Sequence, residues 1–248
     1  MKTVIYVWKN NSIHNKKCND IFQLIKSTCY LFHLSRTMYF DLIVDISHHS
    51  ISKCLQVQTH KYYQLITDNL DTIPIVHDPE QYIISSESNI LFFRSFTYLT
   101  CNLNHEYYRF IQSILVPSPV LIKRIEPIQV CNIVHVHINR SIISTSCYQY
   151  LFHSIYTKIK PYLSPNTILL SDTKEFKSYV KKDTCIIFDT LIGNIGYPLH
   201  DYTVEDTMFD LFLMTKASKI YSYSWDRTTT PGFVNIMYLY NIPIYKII

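Results

Sequence analysis

Glycine is scarce in this chain: three residues of 248, at Gly193, Gly196 and Gly232. Alanine occurs once, at Ala217. Isoleucine, tyrosine, lysine, serine, threonine and asparagine are abundant instead, a bias that an A/T-rich coding genome, viral or parasitic, produces without any structural demand. Charge is sparse as well. Charged residues make up 17% and hydrophobic ones 48%, which excludes a disordered chain and implies a sizeable core. The formal net charge of +4 is spread thinly, with no long run of one sign. That excludes a nucleic-acid-binding tail and a polybasic membrane patch, while a mild positive balance suits a small phosphorylated ligand. No apolar run approaches the roughly 18–20 residues of a membrane span. Cys-x-x-Cys pairs are missing too. The seven cysteines, Cys18, Cys29, Cys54, Cys101, Cys131, Cys147 and Cys185, are odd in number. They read as reduced, mostly buried thiols of a cytoplasmic protein. The first residues, MKTVIYVWKNN, hold too short an apolar run for a secretory leader and read as a first strand.

What is present is alternation. In the second half, residues 132–138 form a β-branched strand, 146–160 have helical length and spacing, and 167–171 (TILLS) are a second strand. A short helix over 173–181, a strand over 184–189 and a glycine-containing loop follow. Thr203 heads a T-x-x-D capping pattern before Met208, Leu211, Phe212 and Met214. Then come a strand at 219–222, a helix at 232–240 and a strand at 243–247. Strands separated by helix-length segments predict βαβ units and a parallel sheet, covered on both faces. The first half is less regular: strands at 3–8, 40–46 and 90–93, and helices at 20–36, 48–55 and 106–115. Pro117, Pro119 and Pro127 mark a connection over 116–130. The chain therefore reads as α/β, with two Rossmann-like lobes facing a cleft: an N-terminal α/β lobe, 1–120, and a C-terminal lobe, 121–248, with the parallel sheet. Open α/β sheets bind ligands at the carboxyl ends of their strands.

At those ends the second lobe gathers polar groups. The first strand carries His135 and His137 on one face and leads to Asn139 and Arg140. The second delivers Ser171 and Asp172. The fourth delivers Ser222 and Ser224, with Gly232 opening the helix beyond. Asp172 suits the N1–H and N2–H₂ edge of a guanine. The serine hydroxyls and the free N–H groups at the helix start suit a phosphate. Arg140 can neutralise a pyrophosphate bidentately without a metal. Plainer roles exist for each. The two histidines share a face, so they could be half a zinc site, but no third ligand is placed; they could equally be hydrogen-bonded structural residues. Asp172 and the serines could be helix caps, and Arg140 a surface ion-pair partner. Asp210, Phe212 and Met214 read as core.

The order "VHVHINR", "ILLSDTKEF", "FDLFLMTKASKIYSYS", "GFVNIMYLYNIPI" resembles the GDP-fucose-dependent fucosyltransferases of α1,2, α1,6 and protein-O specificity, over about residues 131–248. In the first half only the rhythm of "FQLIKSTCYLFHLSRTMYFDLIVDISHHSISKCL" is similar. The resemblance implies a GT-B-like pair of lobes, the first on the acceptor side, and an inverting transfer of fucose to a glycan or protein acceptor, with no cofactor and no obligatory metal. It implies that His137 and Asp172 hold the guanine, that Ser222 and Ser224 lie near the β-phosphate, and that Arg140 stabilises the departing GDP. Asn139 and Gly232 complete the candidate donor-binding set. Two features depart from the family. Asn139 stands where its more important arginine would be. And "WKNNSIHNKKCNDIF" has no glycine where the family has a Gly-rich turn, leaving Asn10 or Asn11 to adopt the left-handed backbone. Both departures also suit a different function, a degenerate lobe pair that binds a ligand or partner without turnover. A general base is expected in the first lobe; Asp20, Asp45, His77 and Glu87 are the candidates, unranked.

Overall fold

Valine, isoleucine and tyrosine dominate the strand segments, and they pair without exception in parallel. The computed structural model describes residues 2–9, 21–95, 97, 105–129, 132–138, 148–180, 185–190, 201–225 and 232–248. The chain divides into two units, and among the described residues the boundary falls between Ser118 and Pro119.

The first unit holds β1 (Thr3–Val7), α1 (Ile21–Met38), β2 (Asp41–Asp45), a 3-10 turn at Ser50–Cys54, α2 (Tyr63–Asp68), β3 (Ile75–Val76), α3 (Pro79–Ser85), β4 (Ile90–Ser95) and α4 (His105–Ile114). Its sheet runs β2-β1-β4-β3. The central strand is the most apolar. Val4, Ile5, Tyr6 and Val7 are buried, and each such side chain contributes about 1.5–3 kcal/mol. Tyr6 satisfies its hydroxyl by donating to Ser95 O at 2.7 Å, and burial raises the pKa of the phenol well above its usual value. α3 starts where local chemistry dictates: Asp78 accepts from Gln81 N at 3.0 Å and Pro79 follows at the first helical position.

The second unit holds α5 (Pro119–Ile125), β5 (Asn132–His137), α6 (Tyr148–Ile159) running into a 3-10 turn at Lys160–Tyr162, β6 (Thr167–Ser171), α7 (Lys174–Tyr179), β7 (Ile186–Ile187), α8 (Asp201–Met214), β8 (Lys219–Ser224), α9 (Gly232–Asn235), a 3-10 turn at Ile236–Tyr240, and β9 (Ile244–Lys246). The order is β7-β6-β5-β8-β9. One core face joins Val134 and Val136 of β5, Leu169 of β6 and Tyr223 of β8 to Phe152, Ile155 and Ile159 of α6 and Phe176 of α7. Pro161 has no N–H to continue α6.

Several expectations change. The prolines at 117–127 do not make a bare connection: α5 lies inside that stretch, with Pro119 as its first residue, where a missing N–H does no harm. Its end and the turn beyond are tied down by Lys216, whose Nζ donates to Ile125 O (2.9 Å), Glu126 O (3.1 Å) and Ile128 O (2.6 Å). Thr203 does not cap a helix, because α8 already begins at Asp201. The strand at 184–189 is paired only over Ile186–Ile187, at the sheet edge, where one neighbour is missing. The helix expected over 232–240 is a single α-turn that tightens into 3-10 form. α2, β3 and α3 carried too few apolar residues to show periodicity. The glycine shortage leaves its mark at Tyr39, which takes φ 56 directly after α1, and at Asn241, at φ 57 before β9. Glycine usually fills such positions.

Candidate functional site

Strand order locates the edge that matters. In the second unit β5 is central, and successive crossovers go to β6 and β7 on one side, then to β8 and β9 on the other. The order reverses between β5 and β8, and ligands of open α/β sheets sit outside the carboxyl ends of the strands at that point. Three residues meet there. His137 ends β5 and lies in register with Ser224, the last residue of β8. The pairing continues one step further, with Trp225 N donating to His137 O at 3.1 Å. Asp172, immediately past β6, turns back to β5: one carboxylate oxygen accepts from Ile138 N at 2.8 Å and the other lies 2.8 Å from His137 Nδ1.

A carboxylate only accepts, so the neutral imidazole donates through Nδ1, and Nε2 becomes its acceptor nitrogen. The His137 side chain is 41% exposed and that of Asp172 13%. The result is an imidazole held in one tautomer and one orientation at the sheet edge. Asp172 is not a helix cap; Thr173 holds that position in α7 and adds a contact from its hydroxyl to Asp172 at 3.3 Å.

The other candidates separate by face, because register partners on parallel strands share a face. Ser171 pairs with Val136, so it points to the α6–α7 side, is fully buried, and accepts from Thr173 N at 3.2 Å. Its role is to shape the turn into α7. Ser222 pairs with His135, and Ser224 with His137. Both serines are buried, and Ser222 lies two residues before the end of its strand, beneath the edge. The strand expected over 219–222 runs on to Ser224, so Ser224 too lies within β8 rather than after it. His135 is buried behind His137, and desolvation pushes it down to about 3, so it stays neutral. Gly232 opens only the one-turn α9, which offers a few N–H groups rather than the dipole of a long helix. Asn139 and Arg140 lie outside the described residues, as do Asn10, Asn11, Asp20, Gly193 and Gly196. Trp225 was missed by sequence reasoning. It is partly exposed at this edge, and its only sequence signal was a tryptophan directly after an apolar strand.

In the first unit, Asp45 ends β2 but is buried. One oxygen accepts from Ser47 N at 2.8 Å and from the Ser47 hydroxyl, and the other lies 3.4 Å from His60 Nε2 and 3.9 Å from His48 Nε2. It anchors the chain leaving β2. His77 and Glu87 are exposed. Among the described residues no group of three or more histidine, cysteine or acidic side chains could hold a metal ion, and no helix is long and apolar enough to cross a membrane.

No protein-family profile matches the chain, and no curated protein sequence matches it either. Comparison of folds does find similar structures. NodZ α-1,6-fucosyltransferase soaked with GDP-fucose superposes with a TM-score of 0.59 at 12% identity, over 98% of this chain and 94% of that one. The same enzyme co-crystallised with GDP gives 0.60 at 12% identity, over 98% and 93%. NodZ from Bradyrhizobium gives 0.55 at 13%, over 98% and 94%. The chain has a fucosyltransferase-like fold. The α/β class, the parallel sheets and the resemblance drawn from the strand-end motifs agree with it. At 12–13% identity the likeness is one of fold, so the roles of individual residues rest on their own geometry.

Proposed function

We propose that this protein is a glycosyltransferase that uses a nucleotide sugar and transfers fucose from GDP-fucose, with inversion, to a hydroxyl of a glycan or protein. The observation that carries this reading is the Asp172-oriented His137 at the carboxyl edge of the second sheet, at its topological switch point, in a fold shared with NodZ over nearly the whole chain. Structures of that enzyme carry GDP-fucose and GDP. In the proposed reaction the acceptor oxygen forms a bond to the anomeric carbon and releases its proton to water. The bond from that carbon to the β-phosphate oxygen breaks, and GDP leaves with the electron pair. His137 and Asp172 hold the nucleotide, Trp225 offers a ring for its base to stack on, and Arg140 balances the growing charge on GDP. Removing such a charge donor typically costs about 2.7–4 kcal/mol in the barrier. The donor itself serves as substrate, with no cofactor or metal in the scheme.

A second reading is a binding protein of the same fold without turnover. It is favoured by Asn139 in place of the family's arginine, by the glycine-free stretch after β1, and by the burial of Ser224 at the edge and of Ser222 beneath it. Thermal unfolding with GDP, UDP and GDP-fucose tests both. A ligand at 100 times its dissociation constant adds about 2.7 kcal/mol of stability. Stabilisation by GDP and not by UDP is expected, followed by release of GDP from GDP-fucose in the wild type and its loss in Arg140→Ala. Binding without turnover selects the second reading. No stabilisation by any of the three refutes both.

A further inference from the structure

A lysine is buried next to β7. Lys177, in α7, is 5% exposed. Its Nζ donates to Thr190 O at 2.5 Å, to Thr190 Oγ1 at 3.0 Å and to Phe188 O at 3.3 Å. The Thr190 hydroxyl in turn donates to the Asp210 carboxylate, whose oxygens lie at 2.9 and 3.0 Å, and Asp210, in α8, is fully buried. A continuous polar chain therefore crosses from one helix to another through residues 188–190, the stretch that leaves β7 at the carboxyl edge. Only two residues of β7 are paired with the sheet, so these side-chain bonds supply much of what holds that stretch.

We propose that Lys177, Thr190 and Asp210 form a proton-linked latch that fastens residues 188–190, directly after β7, between α7 and α8. Among the described residues, the titratable and charged groups facing it are Asp206 from α8 and Arg124 from α5, which lie 4.0 Å apart, Asp189 from the latched stretch itself, paired with Lys174 of α7 at 3.3 Å, Asp172 from the end of β6, and the buried, neutral His135 of β5. Three further carboxylates around one buried ammonium make the site hold its charge as a group.

Desolvation pushes Asp210 up to about 7 and pulls Lys177 below its ordinary value. Opening the latch returns both groups to water. The opened Asp210 releases its proton at its ordinary 3.8, while the closed form keeps it to about 7. Between those values a rising pH therefore favours opening, by up to about tenfold per pH unit. Lys177 has the opposite sense. The opened lysine keeps its proton to higher pH than the closed one, so in alkali a rising pH favours closure. The latch is loosest around neutrality and tightens in both directions.

Hydrogen exchange on the intact wild-type chain, read by mass spectrometry and normalised to the intrinsic rate at each pH, tests this. Between about pH 5 and about pH 7, protection over residues 185–190 is expected to fall by up to about tenfold per unit, while that of 132–137 in β5 changes much less. Asp210→Asn keeps the bond from Thr190, removes the titrating proton, and is expected to flatten the dependence. A flat wild-type profile over 185–190 overturns the latch, and so does an Asp210→Asn profile as steep as the wild type's. The wild-type profile decides alone if the variant does not fold.

Discussion

Replacing Asp172 with asparagine removes one acceptor from an arrangement that uses two. The carboxylate serves Ile138 N and His137 Nδ1, each at 2.8 Å. Asparagine keeps a single carbonyl oxygen and puts an NH₂ group in place of the other. If it accepts from the Ile138 amide, its NH₂ faces His137 Nδ1, so that either two donors meet or the imidazole moves its proton to Nε2. Loss of one hydrogen bond to a charged acceptor costs about 1.5–3 kcal/mol. Water recovers part of this at a side chain 13% exposed, which leaves about 1–2 kcal/mol. For a chain of this size that lowers the Tm by roughly 2–8 °C. His137 also loses the partner that fixes its tautomer, so GDP affinity is expected to fall about tenfold, or about 1.4 kcal/mol. The assay is thermal unfolding of both proteins across a GDP titration. If Asp172→Asn melts with the wild type and gains the same stabilisation from GDP, the carboxylate neither holds the edge nor contributes to a nucleotide site. If it melts lower but keeps the full GDP response, Asp172 belongs to the fold alone.

Lys216→Met removes three bonds to carbonyls at the end of α5 and in the turn beyond it; the lysine is largely exposed, so the expected loss is about 1 kcal/mol by urea denaturation, and an unchanged midpoint refutes its role in holding that end. Tyr39→Gly relieves a left-handed tyrosine whose ring is 82% exposed, and a gain of about 0.5–1 kcal/mol is expected after the added freedom of the unfolded chain is subtracted; a destabilised variant contradicts the strain. His135 and His49 are held neutral by burial, down to about 3 and about 4. Unfolding lets each take up a proton near pH 6.5, so both stabilise fully above that value and lose up to about 1.4 kcal/mol per unit as the pH falls below it. Asp210 opposes them with one proton in the reverse sense. His49→Gln should therefore reduce the acid slope of stability by one proton, measured by urea denaturation at a series of pH values, and an unaltered slope would show that His49 is not held neutral in the folded state.

Much of the fold was legible because its signals are local. The β-branched runs at Thr3–Val7, Asn132–His137 and Thr167–Ser171 needed no partner to be read as strands, and α6 shows its buried face in the spacing of Leu151, Ile155 and Ile159. Elements too short for a period, such as α2 and β3, could not be read in this way. The site was legible only in its cast. His137 and Asp172 stood out as polar groups following apolar strands, but their numbers do not reveal that one would orient the other. That depends on β5 and β6 pairing in a particular register, across 35 residues of chain. The same register turns Ser171 into the core and puts Ser224 beside His137. By itself the sequence determined which segments are strands and helices, because backbone preference and the burial of one face are settled within a few residues. Which polar side chains share an edge, and which are buried behind it, was decided by tertiary structure, because strand order and register arise from contacts between residues far apart in the chain.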